Sequence, residues 1–175
     1  MIYKTETHQY LFESSIERFE GRRGVITSGN VIDHINVATP PEFSGGIAGL
    51  WSPEQLFLAS LNGCLMATFL AIAEKKKLEV VDFKSNAIGM VQMIDRHLEF
   101  TKIDIYPKIF ISKEEDRSLA NEVLLKTYQH CIVANSVRSS LIHHGEILIE
   151  GDQFAIMRSL VPRDDSFHDE AHTLV

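Results

Sequence analysis

Only two side chains in the 175 residues, Cys64 and Cys131, offer thiol chemistry, and each needs a reason to ionise, because the thiolate is the reactive form. Cys64 lies inside "SPEQLFLASLNGCLMATFLAIAEKKK", residues 52–77, about ten residues beyond the start of an expected helix. The helix dipole fades within the first turn, so a cation from elsewhere in the fold would have to supply the bias. Cys131, in "HCIVANSVRSS", stands at the expected N-terminus of a further helix, where amide dipoles favour a thiolate. The plainer reading of either residue is a small buried hydrophobe. No C-x-x-C pair is present, which disfavours a general thiol–disulfide oxidoreductase, and the spacing suits no zinc site. "HDEAH" sets His168 and His172 four apart, but Asp169 stands where a zinc protease has glutamate. His130, beside Cys131, offers a base or a surface imidazole. Glu54, read alone, is a first-turn acid favoured by the helix dipole, and Arg22 and Arg23 belong to a solvated turn, "EGRRG".

The elements that must position these residues are legible in the hydrophobic pattern. The first fifty residues read as strands separated by the turn chemistry of "EGRRG" and "SGN", and "PPEFSGGIAG" is a loop. Ser52 as N-cap, Pro53 at N1 and Gln55 at N3 make a capping box for a helix running to about Lys77. "LEVVDFKSNAIGMVQMID" and "HLEFTKIDIYPKIFI" read as two long strands joined at "DRH". A second helix starts at Ser112 with Glu115 as its capping partner, and a third is expected from Cys131 to Gly145, with His143 and His144 near its C-terminus. "EILIEG" closes as a strand. The order specifies an α+β fold. Residues 1–151 are expected to form a single domain, and residues 152–175 a polar C-terminal extension.

Composition excludes several function classes. With 24 acidic against 17 basic residues the formal charge is -7, and the one compact basic cluster is Lys75-Lys76-Lys77. A nucleic-acid or anionic-membrane binder needs a basic face, so neither partner is expected. The lysines complement a helix C-terminus. The start of the chain has no charged-then-apolar leader pattern, and two cysteines are too few for a secreted disulfide scaffold, so a cytoplasmic location is expected. Leu56 to Ala73 is uncharged over a length that could span a membrane, but Ser60, Asn62, Gly63 and Thr68 interrupt it, which favours a core helix.

"SPEQLFLASLNGC" resembles the N-P-E-Q-L-F…C segment of the OsmC/Ohr family, the osmotically inducible protein C and organic hydroperoxide resistance proteins. "EGRRG" resembles the family's G-R-x-G turn and "HCIVANSVRSS" its second-cysteine segment, so the likeness spans residues 10 to 150 in element order. It implies an intertwined dimer, with antiparallel sheets wrapped around central helices, and thiol-dependent reduction of organic hydroperoxides without cofactor or metal. Carried over by position, Cys64 is the peroxidatic cysteine and Cys131 the resolving one. Arg22 is then the activating cation, with Arg23 adjacent as the other candidate, and Glu54 is the carboxylate that holds it. The implied reductant is a dithiol, such as a dihydrolipoyl group on a partner protein. Ile132 departs from the pattern, because proline commonly follows the second cysteine there.

An arginine beside a thiolate favours ionisation and places a donor where peroxide oxygen binds; a glutamate pairing with it preorganises the guanidinium. Ten residues of helix separate Glu54 from Cys64 by about 15 Å, so one chain cannot bring both to one site. Two such helices crossing at a two-fold axis would offer each carboxylate toward the other chain's cysteine. Met90, Met93, Phe100 and Phe110 suit an apolar pocket wall or scattered core. The competing function is a non-enzymatic dimeric module that binds a small apolar ligand and keeps both cysteines as core.

Overall fold

The computed structural model describes residues 9–29 and 31–151, so the expected tail and its "HDEAH" segment lie outside the described residues. The chain divides into two compact units between Ser60 and Leu61. In the first, β1 (Ser15–Glu20), β2 (Arg23–Thr27) and β3 (Ile35–Ala38) form an antiparallel sheet in that order. Trp51 extends it through a bridge to Val37, and the Ala38 amide donates to the Trp51 carbonyl at 2.9 Å. Val37 and Ala38 are the buried end of β3, whereas β1 is exposed along its whole length.

Helix α1 (Pro53–Lys76) begins as its sequence dictates. The Gln55 amide donates to Ser52 Oγ at 3.1 Å, and the Ser52 amide donates to Gln55 Oε1 at 3.0 Å, closing the reciprocal capping box. At the other end Lys77 turns to φ 58°, its amide reaches Glu74 O, and the Leu78 amide reaches Ala73 O. This is a Schellman close made with lysine where glycine is usual, anchored by burial of Ala73 and Leu78.

In the second unit, β4 (Val80–Ile94) and β5 (His97–Ile111) form a long antiparallel hairpin. Its turn is Asp95-Arg96 alone, with φ 45° and 72°, the left-handed pair that matches the twist of a two-residue hairpin. Parallel to β5 run β6 (Ser140–His143) and β7 (Glu146–Ile149). The core joins Phe69 and Ala73 of α1 to Ile109 and Ile111 of β5 and to Ala120, Val123 and Leu124 of α2 (Arg117–His130). Leu61, Leu65, Phe69 and Ala73 recur every four residues and form the buried stripe of α1, with Phe69 stacked obliquely on Phe83 at 5.5 Å. Met66 and Leu70 stay 42% and 40% exposed, so the opposite face of this apolar helix is not covered by the described residues. By length and composition α1 could cross a membrane.

Two expectations need correction. A 3-10 turn, Glu114–Asp116, precedes α2, and Ser112 Oγ lies 3.4 Å from Glu79 Oε2, so no capping box forms there. The third helix is a single turn, α3 (Ile132–Asn135), and the following residues enter β6 instead of continuing to Gly145. Pairing with Lys102–Ile105 satisfies their backbone groups in the sheet, a non-local gain that overrides helical periodicity. His143 and His144 therefore lie at the end of β6. His143 stacks on Tyr128 at 3.8 Å, while His144 stacks on Tyr106 and bonds Asp104 at 2.8 Å.

Candidate functional site

Both cysteines fall in the second unit and meet where α1 faces the junction of α2 and α3. Cys131 ends α2 and opens α3, with φ -68° and ψ 111°, and is fully buried. Cys64 is half-buried on the flank of α1, neither on the buried stripe nor fully on the open face. The Cys131 thiol lies close enough to Cys64 to act on its acidity, and Thr68, one turn along α1, places its hydroxyl 4.0 Å from the Cys64 sulfur. Neither cysteine is in a disulfide.

Their acidities diverge. Burial opposes ionisation of Cys64, but hydrogen bonds from the Val133 amide, the Cys131 thiol, the Thr68 hydroxyl and the Ile132 amide outweigh it and hold the thiol below its ordinary value. Burial pushes Cys131 up to about 11, and a thiolate at Cys64 adds to that rise, against partial relief from the Ala134 and Val133 amides. The dipole argument thus belonged to the other sulfur. The first amides of α3 serve Cys64, and Cys131 remains a thiol able to donate to its neighbour. Apart from Thr68, this donor set was invisible in the sequence because it comes from residues almost seventy positions away, and the only hint was the short spacing between Cys131 and a helix start.

Arg22 and Glu54 belong to the first unit. Arg22 is exposed, and its Nη1 donates to the carbonyl of Ser44 at 2.5 Å in the loop before α1. Arg23 is half-buried, packs over the Phe19 ring at 4.9 Å, approaches Glu20 at 3.9 Å and leaves a buried Nε without a hydrogen-bond partner. Glu54 Oε2 is likewise buried and unpartnered, and neither arginine bonds Glu54 among the described residues. Glu54 remains ten residues from Cys64 on the same helix.

A groove of about 730 Å3 opens beside Cys64, lined along α1 by Ala67, Thr68, Ala71 and Ile72 and closed from the other side by His130 and Ile132. Met90, Met93, Phe100 and Phe110, read as a pocket wall or scattered core, do not line this groove. Met90 and Met93 are exposed on β4, and Phe110 is buried. Among the described residues no group of His, Cys, Asp and Glu is arranged to hold a metal ion.

Solved structures share this architecture. An OsmC-like protein of unknown function from Vibrio cholerae superposes with a TM-score of 0.70 at 19% identity, over 80% of this chain and 100% of that one. An organic hydroperoxide resistance protein from Elizabethkingia anophelis gives 0.64 at 19% identity, covering 83% and 99%. The organic hydroperoxide resistance protein OhrB of Bacillus subtilis gives 0.57 at 20% identity, covering 79% and 98%. At such identities the likeness establishes the α+β fold. No curated protein sequence matches the chain. The family model described as OsmC-like protein matches residues 46–143, more than half the chain and the span from the loop before α1 through both cysteines to the end of β6. The chain belongs to the OsmC-like protein family.

Proposed function

We propose that this protein is a cysteine-dependent peroxidase that reduces organic hydroperoxides, with Cys64 as the attacking thiolate and Cys131 as the resolving thiol. One observation carries the reading: two free thiols that act on each other's acidity, one shifted toward thiolate and the other held protonated. The Cys64 thiolate attacks the distal peroxide oxygen; the S–O bond forms, the O–O bond breaks, and the alkoxide takes a proton and leaves as the alcohol. Cys64 is then a sulfenic acid. Cys131 attacks its sulfur, a disulfide forms, and water departs. A dithiol, such as a dihydrolipoyl group on a partner protein, returns both thiols by exchange and is itself oxidised to a cyclic disulfide.

The working form in this reading is a soluble cytoplasmic homodimer, without cofactor, nucleic acid or membrane partner. The uncovered apolar face of α1 supports assembly, since burying Met66 and Leu70 against a second copy recovers about 25 cal/mol per Å2 of apolar surface. The orphaned Glu54 Oε2 supports it too, because a buried carboxylate oxygen wants a donor. Glu54 and Arg22 of one chain then serve the thiolate of its partner, the carboxylate aiming the guanidinium.

The test is thiol titration of the reduced protein before and after one equivalent of cumene hydroperoxide, with Cys64→Ser and Cys131→Ser variants. Rapid loss of both thiols, dependent on Cys64 and trapped as sulfenic acid without Cys131, is the expected result. Oxidation no faster than that of a free thiol would overturn it and favour a module in which the groove simply binds an apolar ligand.

A further inference from the structure

The groove beside Cys64 is not apolar to its end. Following α1 past Ala71 and Ile72 it reaches Lys75 and Lys76, and Lys126 of α2 lines the same end. Eleven residues of helix separate Cys64 from Lys75, on the order of 16 Å. Lys76 and Lys126 both engage Glu122, at 3.0 and 2.9 Å, and Lys75 makes no ion pair with a described residue. Three ammonium groups against one carboxylate leave an excess of positive charge in a protein whose net charge is -7. The pairs with Glu122 are about half exposed, so water and salt screen them and they are open to exchange for another anion.

We propose that Lys75, Lys76 and Lys126 form a carboxylate-binding subsite, so that the groove selects an apolar chain carrying its reactive group at Cys64 and a carboxylate at the lysines. The inference rests on the peroxidase reading for its chemistry, which makes the preferred substrate a hydroperoxide borne by a long-chain carboxylic acid. The covalent step is unchanged: the O–O bond breaks at Cys64, the alcohol leaves, and the carboxylate takes no part beyond holding the chain in register. Ala67 and Ala71 keep the middle of the groove open, and Ile72 and Ile132 give it apolar walls. A carboxylate at the far end replaces Glu122 as counter-ion instead of lying unpaired on an apolar surface. A small neutral hydroperoxide reaches Cys64 but leaves the lysines unused.

Glu122 makes the inference sharper, since it competes for the same ammonium groups. Neutralising it should strengthen binding of the acid, an outcome that damage to the fold would not produce.

The experiment measures protection of Cys64 from iodoacetamide in the reduced full chain, read by mass spectrometry, with linoleate or methyl linoleate below the concentration at which either forms micelles. Linoleate should protect at about a fivefold lower concentration than its methyl ester, an advantage that fades with added salt. The double variant Lys75→Gln/Lys126→Gln should erase the difference, Lys75→Arg/Lys126→Arg should keep it, and Glu122→Gln should enlarge it. The same ranking is expected in kcat/KM for linoleic acid hydroperoxide against its methyl ester. Equal protection by acid and ester, or a difference that survives the glutamine variant, would overturn the subsite. Selective protection by linoleate without peroxide turnover would sink the peroxidase reading and leave the subsite standing.

Discussion

The flank of α1 around Cys64 and the α2–α3 junction around Cys131 carry the same side chain and reach opposite chemistry. Both sulfurs lose water, which by itself raises a thiol's pKa. Cys64 is overcompensated because four donors converge on it, two of them main-chain amides from the turn that Cys131 opens. Cys131 is fully buried and has its neighbour's developing negative charge beside it. The position of a cysteine at a helix start therefore mattered less than which sulfur the freed amides face. The asymmetry suits a two-step cycle, in which the first thiol must be ionised and the second must wait.

Removing one sulfur breaks the comparison most severely. Cys64→Ser should lower the rate of peroxide consumption by at least about 10³-fold, the scale on which loss of a nucleophile is felt, as measured by stopped-flow with cumene hydroperoxide. Cys131→Ser should leave a single turnover intact, because the attacking sulfur remains, and should stall the second as a sulfenic acid that a dimedone probe labels.

A subtler break restores the family's usual residue. Ile132→Pro removes one amide donor from the Cys64 thiolate at a helix N1 position, where proline is tolerated, and Cys131 already has the extended ψ that a following proline requires. The Cys64 pKa should rise, and the second-order rate at neutral pH should fall about fivefold, the worth of one hydrogen bond of roughly 1 kcal/mol. Thr68→Val should act in the same direction and by a similar amount, since its hydroxyl weighs on Cys64 at least as much as the Ile132 amide does. The pH dependence of alkylation by iodoacetamide reads both.

The smallest expected effect concerns stability, and it comes from the stack on α2. Burial, then the charge of neighbouring His144, holds His143 below its ordinary pKa. As pH falls the unfolded chain takes up that proton first, near about 6.5, so stability is full above this range and declines as pH drops through it toward the folded value. Burial also pushes Tyr128 up to about 12 from 10.0, so the unfolded chain loses its proton first and stability declines as pH rises across that interval. Thermal unfolding against pH should show both flanks, and His143→Phe should flatten the acidic one.

How far the sequence could be read depended on range. The capping box at Ser52 and Gln55, the reach of α1 and the long hairpin are written in contiguous residues, and all three appear as expected. The same logic failed at Ser112, whose hydroxyl turns toward Glu79, and over Ser140–His143, where a strand partner in β5 outbids helix propensity. Arg22 and Glu54 could be named only through family resemblance, since neither a turn arginine nor a first-turn acid announces a role. Ile132, singled out as a departure from the family, proved to supply an amide to Cys64 that proline could not.

Local chemistry by itself therefore determined the α+β class, the element order as far as α2, the N-terminal cap of α1 and which two residues carry thiols. Tertiary structure alone decided that the two thiols are neighbours, which of them is shifted toward thiolate, and that a groove leads from Cys64 to three lysines. The physical reason is that helix caps and periodicity depend on neighbours within a turn or two. Acidity and groove shape depend on which donors, charges and apolar surfaces distant segments bring together out of water.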